Sequence, residues 1–526
     1  MFVESATMPR GARHLSTLAL LLAVSQAATG AELAPVFTSH CVLQQSIPVA
    51  LWGTGRDGED VVVEIEGAAV KTTVAAGRWQ VELPPLAPTS TTTLRLRSDT
   101  ETVLHDVAVG EVWICSGQSN MEWRLNQCSP YTDALLATAD NPDIRQIKVP
   151  LRAFAGDPLP RFEWKRFDKA AAPFFSAVAY AFAERLHAEL GVPVGIINCS
   201  FGGTPIEAWM HPDALRAAGR RQLLDDDARK MAAFASPEAY EAAWAVYVAE
   251  RTSWEDRKRA GTPEAELGPQ PKEPYGSRTK SRPGTLHSSM LSLITPYTAR
   301  GMLWYQGENN SYRPDEYAGL LPQFVARCRA DWNRPDWPVF IGQLSSPSPG
   351  NPDDKDAYAI VREAQRATAA SDAHSGFVVT LDHGERGNVH PVHKQPIGER
   401  FARLALGRVH GRTGSAAQSP FAIRATRTDG TIAVEFGDLP GRLEIRDASV
   451  PSLEVGPPSG PWQPAAASLD ADGKRLVIDA AALPEGPVEV RYGWRNFCVL
   501  SLFTDEGLPV SPWRLPVAGT ERPLAP

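Results

Sequence analysis

Val194-Gly195-Ile196-Ile197-Asn198-Cys199 is an apolar run without alternation, and it ends at Gly202-Gly203. It follows Ala177 to Leu190, where Val178, Phe182, Leu186 and Leu190 recur at helical spacing. An unalternating strand fed by a helix is what a parallel sheet buried on both faces requires. The pattern repeats outward. Val107 to Cys115 is an apolar strand ending in a glycine-containing turn, and Gly301-Met302-Leu303-Trp304-Tyr305 is another, ending at Gly307. Tyr317 to Asp331 reads as a helix and Pro338 to Leu344 as a strand. Strand–helix alternation of this kind predicts an α/β domain whose parallel sheet is covered on both faces.

The flanks have a different texture. From Leu33 to His105 short strands (Val49 to Gly53, Val61 to Ile65, Trp79 to Leu83) stand between Gly, Asp and Pro turns, which predicts a small β-sandwich. After Gly407 the β pattern returns at Phe421 to Thr426, Thr431 to Phe436 and Val488 to Tyr492. Between Pro212 and Arg282 the chain is helical, charged and alanine-rich, then polar and proline-rich. It reads as an inserted helical subdomain or lid with a mobile tail, and its Asp225-Asp226-Asp227 run as solvated helix surface. The expected organisation is 1–30 signal peptide, 31–105 N-terminal β module, 106–211 and 285–407 the two parts of the α/β domain, 212–284 insertion, and 408–526 C-terminal β-rich module.

The chain has 526 residues, 43% hydrophobic and 22% charged, which excludes disorder as the dominant state and a coiled-coil rod. Lys and Arg number 53 against 61 Asp and Glu, a net charge of −8, so the basic footprint of a nucleic-acid binder is absent. The 14 Trp residues fit either sugar binding or core filling. Arg10 and Arg13 precede the short apolar stretch Leu15 to Val24 and small residues to Gly30, as in a secretory signal. No stretch of about 20 apolar residues predicts a membrane span. A soluble periplasmic or secreted protein is expected. Six scattered cysteines show no zinc-like spacing; Cys115 and Cys128 could pair in an oxidising compartment.

Polar clusters sit just past the apolar strands, where a parallel open sheet builds its site. The first is Ile114-Cys115-Ser116-Gly117-Gln118-Ser119-Asn120-Met121-Glu122-Trp123. A serine there is either an exposed nucleophile whose own N–H faces an oxyanion, or a plain helix N-cap. The second, Phe201-Gly202-Gly203-Thr204-Pro205-Ile206-Glu207-Ala208-Trp209, lets a backbone N–H approach a ligand, or is a simple turn. The third, Trp304-Tyr305-Gln306-Gly307-Glu308-Asn309-Asn310, offers a side-chain amide as an oxyanion donor, or is a solvated loop. The fourth runs from Asp382 to Lys394 and holds His383, His390 and His393. A histidine there could meet an early serine as general base; the three together also invite a metal reading, which no HExxH-type spacing or cysteine partner supports.

Taken together these blocks resemble the SGNH-hydrolase superfamily and, within it, the sialate O-acetylesterase family. Gly117 to Trp123, Gly202 to Trp209, Trp304 to Glu308, His390-Pro391 with Lys394, and Gly398-Glu399-Arg400 carry the resemblance. Val42-Leu43-Gln44-Gln45 and Glu506 to Arg514 extend it to both flanks, leaving the Pro212 to Arg282 insertion unmatched. The resemblance implies an SGNH-like three-layer α/β/α domain and a carboxylic ester hydrolase that removes O-acetyl groups from carbohydrates. The substrate would be acetylated sialic acid, or acetylated plant polysaccharide such as xyloglucan or another hemicellulose. Ser119 matches the nucleophile and His390 the base. The oxyanion donors would be Ser119 N–H, a Gly202 or Gly203 N–H, and Gln306 or Asn309. No cofactor or metal is required.

One position departs from the superfamily pattern. An Asp is expected three residues before the histidine, and Gly387 stands there. Glu308 is the first candidate for the orienting acid, Asp382 the second, and a bare Ser–His dyad the third. The competing functional reading is a non-catalytic carbohydrate-binding protein on a hydrolase scaffold, against which the retained Ser119 and His390 argue.

Overall fold

The computed structural model describes residues 30–152, 159, 161–348, 352–353, 355–412, 417–428, 430–447, 449–480 and 486–519. The expected signal segment lies outside them, Gly30 excepted. The architecture is mixed α/β. In the central sheet the strands lie in the order Trp164–Asp168, Asp140–Lys148, Val194–Ser200, Glu101–Gly117, Gly301–Tyr305, Val339–Gly342 and Ser375–Val378. All neighbours run parallel except the outermost Trp164–Asp168, which is antiparallel to Asp140–Lys148.

Burial on both faces explains the apolar strands. Ile114, Ile197, Met302 and Ile341 pack with Leu320 and Phe324 of the Pro314–Asp331 helix and Val361 of Ala357–Ala370. Their sequence neighbours Trp113, Ile196, Leu303 and Phe340 pack with Val178 and Phe182 of Ala177–Leu190 and Phe401 of Gln395–Arg408. Successive residues of a strand point to opposite faces, so both must be apolar. The Ala177–Leu190 helix opens on Ser176, whose hydroxyl accepts from Ala179 N–H at 3.2 Å, and closes on left-handed Gly191. Its partner helix approaches so closely that a Cβ on Gly398 would overlap the Val178 carbonyl.

The Glu101–Gly117 strand is 17 residues long and belongs to two regions. Its first half pairs with Thr89–Arg97 and Val42–Gln44 of the N-terminal β region, its second half with the central sheet. Position 105/106, the expected module boundary, therefore falls inside one continuous strand. The Gln44 and Gln45 amides and the Arg300 guanidinium all converge on the fully buried Glu111 carboxylate, which they hold below the usual carboxylate range against the effect of its burial. The C-terminal region forms an eight-stranded and a two-stranded sheet. Arg362 docks it, donating from a fully buried position to the carbonyls of Arg495 and Asn496, both at 2.7 Å.

The insertion holds helices Pro212–Ala217, Arg221–Met231, Pro237–Arg259 and Glu264–Leu267. Two expectations are corrected. Asp227 is not solvated surface: it receives the Arg282 guanidinium at 2.9 and 3.0 Å and the Tyr275 hydroxyl at 2.7 Å. The segment expected as a mobile tail is thereby anchored, and Gly284 N–H closes it onto Glu207 C=O at 2.9 Å. Cys115 and Cys128 do not pair; all six cysteines are free and buried. Trp113, Trp164, Trp209, Trp304, Trp337 and Trp513 are fully buried, so for these the core-filling reading holds. Among the described residues no helix is long and apolar enough to cross a membrane.

Gly398→Ala is expected to force the helix pair apart and destabilise the fold by about 1–3 kcal/mol. Chemical denaturation checks this; a wild-type midpoint would show that the pair can yield.

Candidate active site

The site grows from the end of the Glu101–Gly117 strand. Gly117 has φ +135, and a Cβ there would overlap the Tyr305 carbonyl of the adjacent strand, so only glycine serves. Gln118 N–H then bonds Tyr305 C=O at 3.0 Å, and Ser119 opens the one-turn Ser119–Glu122 helix. The turn is tied to both neighbouring blocks. Phe201 N–H donates to Gly117 C=O at 3.0 Å, and the Gln118 side-chain oxygen accepts from Gly307 N–H at 3.3 Å and Asn309 N–H at 3.4 Å.

Ser119 Oγ lies 2.7 Å from His390 Nε2. The two are 271 residues apart in the chain. For Nε2 to accept the hydroxyl proton, the ring proton must sit on Nδ1. No acceptor for Nδ1 is found among the described residues. Instead the ring is held by its surroundings. Trp123 stacks on it with centroids 4.3 Å apart and planes at 20°. His390 N–H donates to Asn388 Oδ1 at 3.0 Å, and the Asn388 carbonyl accepts from Ser346 Oγ at 2.6 Å. Burial, and then the charge of Lys394, hold His390 below its ordinary pKa.

Neither carboxylate considered for the orienting acid touches His390. Glu308 accepts from Asn120 Nδ2, and its Oε2 is buried with no hydrogen-bond partner found among the described residues. Asp382 gives both oxygens to Arg400, at 2.6 and 2.7 Å, which places it in a structural ion pair. Two of the expected oxyanion donors are already engaged. The Gln306 amide donates to Thr204 C=O at 3.1 Å and Asn310 Oδ1 at 2.8 Å, while its oxygen accepts from Tyr317 OH at 2.9 Å. Gly202 N–H donates to Glu122 Oε2 at 2.7 Å. Ser119 N–H and Gly203 N–H have no acceptor among the described residues, and Asn309 uses one amide proton, on Gly203 C=O at 3.0 Å.

Asn120 and Lys394 were quoted in the sequence as parts of motifs and given no role. Lys394 Nζ donates to Asn120 Oδ1, and Asn120 Nδ2 donates to Glu308 and, at 3.0 Å, to Val389 C=O. The amide therefore bridges the serine turn, the Glu308 block and the histidine loop. Burial brings the Lys394 ammonium down to a pKa of about 8 and pushes the Glu308 carboxyl up. No composition signal marks such a network, because each member has an ordinary structural use. His383, His390 and His393 do not converge: His393 stacks on Tyr131 with centroids 4.1 Å apart and meets His383 edge to face. Among the described residues no cluster of three or more metal-ligating side chains is found.

Residues 109–232 and 276–406 match the family model described as carbohydrate esterase, sialic acid-specific acetylesterase. The gap within this match, 233–275, is narrower than the insertion expected from sequence, and 1–108 and 407–526 lie outside the match. The sialate O-acetylesterase of Rattus norvegicus is 28% identical over 449 residues, 77% of this chain and 79% of that one. The sialate O-acetylesterase of Homo sapiens is 26% identical over 445 residues, 76% of this chain and 75% of that one. A solved carbohydrate acetylesterase from Xanthomonas citri superposes with a TM-score of 0.75 at 28% identity, covering 92% of this chain and 99% of that one. Fold, site and relatives agree on a carboxylic ester hydrolase. Residues 109–232 and 276–406 form a carbohydrate esterase domain of the sialic acid-specific acetylesterase type.

Two outcomes follow from the geometry. Because protonation removes the base, and burial with Lys394 favours the neutral ring, kcat/KM should be flat through neutral pH and fall on the acid side with a midpoint below about 6.5. A pH–rate profile at or above that value would contradict the assignment. Asp382→Ala leaves Arg400 unpaired in a site only 10% exposed and should destabilise by about 3–5 kcal/mol, with kcat of the folded protein near wild type. Thermal denaturation and active-site titration separate the two effects.

Proposed function

We propose that this protein is a serine esterase that removes O-acetyl groups from carbohydrates through an acetyl-enzyme. The observation that carries the reading is the 2.7 Å contact between Ser119 Oγ and His390 Nε2 at the carboxyl edge of a parallel sheet. In the proposed cycle, His390 Nε2 takes the Ser119 proton as Oγ attacks the acetyl carbonyl carbon. The oxyanion is received by Ser119 N–H, Gly203 N–H and the second amide proton of Asn309. Collapse breaks the bond to the sugar oxygen, which leaves with the proton from His390. A water then attacks the acetyl-enzyme, giving a proton to His390; collapse breaks the bond between the acetyl carbon and Oγ, Oγ takes that proton back from His390, and acetic acid, which ionises to acetate, and free Ser119 result. Each oxyanion donor is typically worth about 3 kcal/mol.

The proposed base works as a dyad in which other groups stand in for the missing acid. Trp123 offers its π face to the imidazolium that forms, an interaction of about 0.5–2 kcal/mol. Glu308 acts through Asn120, offsetting the Lys394 charge and fixing the Val389–His390 backbone. The proposed substrate is acetylated sialic acid or an acetylated plant polysaccharide such as xyloglucan. The names of the rat and human relatives support the first, and that of the Xanthomonas protein the wider class. The domain layout that goes with this reading is an SGNH-like three-layer core, 106–211 with 285–407, between β modules 31–105 and 408–526. Residues 1–30 would act as an export signal delivering it to the periplasm or exterior.

Ser119→Ala and His390→Ala should each lower p-nitrophenyl acetate turnover by about 10⁴- to 10⁶-fold. Glu308→Gln should lower kcat at least about 10-fold, short of the ~10⁴ of a lost triad acid. Acetate release from acetylated sialic acid and acetylated xyloglucan assigns the substrate. Release from neither, with p-nitrophenyl acetate still cleaved, would sink the carbohydrate part of the proposal.

A further inference from the structure

The peptide units on either side of the Gly202–Gly203 amide are both pinned, and that amide is itself held at its carbonyl. Glu122 Oε2 accepts the Gly202 N–H at 2.7 Å, and Asn309 Nδ2 donates to the Gly203 carbonyl at 3.0 Å. The carbonyl of Gly202 accepts from Lys280 Nζ at 2.6 Å. What remains is Gly203 N–H, the other end of the same peptide unit, with no acceptor among the described residues. This loop lies against the nucleophile: a Cβ built on Gly202 would stand 3.3 Å from Ser119 Cβ.

Lys280 comes from the far end of the helical insertion, the segment whose role the sequence left open. It is delivered by a rigid mount. Arg282 is held bidentate by Asp227, Arg278 N–H donates to Tyr240 OH at 3.0 Å, and the Arg278 guanidinium reaches Glu241 at 3.2 Å. A Cβ on Gly276 would overlap the Tyr240 ring, so the chain passes close against that helix. The ammonium itself lies 4.7 Å over the Phe201 ring. Partial burial lowers its pKa from the ordinary lysine value, with Glu122 opposing the shift.

We infer that Lys280 is a positioning residue for catalysis: its ammonium on the Gly202 carbonyl fixes and polarises the Gly202–Gly203 peptide so that Gly203 N–H receives the oxyanion. A peptide unit is one conjugated dipole, so a cation at its oxygen draws electron density from nitrogen and strengthens the N–H as a donor. A charge-assisted hydrogen bond is about twice as strong as a neutral one and resists rotation of the peptide. Such a donor acts only where negative charge develops, in both acetylation and deacetylation. Tyr240 and Glu241 of the Pro237–Arg259 helix, by bracing the segment that carries Lys280, thereby contribute to the chemistry without touching the substrate.

This rests on the Ser119–His390 reading, and the test separates the two. Lys280→Gln keeps a donor and removes the charge, Lys280→Met removes both, and Lys280→Arg keeps both. With p-nitrophenyl acetate, the Gln variant is expected to lose about 10-fold in kcat with KM within twofold, the Met variant more, and the Arg variant to recover most of the loss. Affinity for methylboronate, which forms a tetrahedral adduct on the serine, should fall in parallel with kcat. Wild-type kcat and boronate affinity in both Gln and Met variants would overturn the inference, as would an effect confined to KM, which marks a substrate contact. Ser119→Ala serves as the control: if it stays active the esterase mechanism itself fails, and if it is inactive while the Lys280 variants are normal, only this inference fails. If the Met variant does not fold, the Gln and Arg pair, matched in thermal midpoint, decides.

Discussion

The side-chain amide of Asn120 holds the site together. Its oxygen accepts from Lys394, and its nitrogen donates to Glu308 and to the Val389 carbonyl. Those partners lie 274, 188 and 269 residues away in sequence. A serine next door and a histidine one residue past Val389 are thereby set at a fixed distance by a single planar group. A parallel sheet brings strand ends to one edge, but that convergence alone leaves loops free to differ by ångströms. A buried amide with both ends satisfied removes that freedom, since any shift leaves a buried polar atom unpaired.

The same network bears on how the base is tuned. An orienting carboxylate normally fixes the histidine tautomer and steadies its charged form. Here Gly387 leaves that place without a side chain, Asp382 is spent on Arg400, and Glu308 is one amide away. The nearest charge to act on His390 is the cation Lys394, which disfavours the imidazolium. The Trp123 face favours it. The balance makes the neutral, proton-accepting ring the resting form and leaves its charged form less stabilised than in a triad.

Much of the fold was legible because apolar periodicity reports burial directly. Ala177–Leu190 ends where the Leu186 and Leu190 spacing ends, and the Val194 and Gly301 strands begin where their apolar runs begin. The meeting of Ser119 with His390 was legible through the family resemblance, since the serine alone reads equally well as a helix N-cap. What sequence could not give is which polar residue pairs with which. Gln306 sits in a strand-end block as an oxyanion donor would, yet Thr204 and Asn310 take both of its amide protons while Tyr317 holds its oxygen. Asp227 lies in an acidic run that looks solvated, yet it anchors Arg282. Partnership of this kind is decided by tertiary packing, and composition carries no trace of it.

Burying charge beside Ser119 and His390 is costly, and stability alone does not explain why Glu308 and Lys394 are there. Two ions taken from water recover the loss only with good geometry and further hydrogen bonds, and apolar residues of like volume often do as well. Glu308 Oε2 is buried with no hydrogen-bond partner found among the described residues, so the arrangement is not one that stability alone would select. What the arrangement does provide is direction. An ammonium and a carboxylate on opposite ends of one amide leave it a single orientation, because rotating it by half a turn would set Nδ2 against the ammonium and Oδ1 against the carboxylate. A neutral pair would distinguish the two orientations far less. The charges thus fix the sense of the Asn120 amide, the amide fixes the Val389 carbonyl, and the next residue along the chain is His390, whose Nε2 meets Ser119 Oγ.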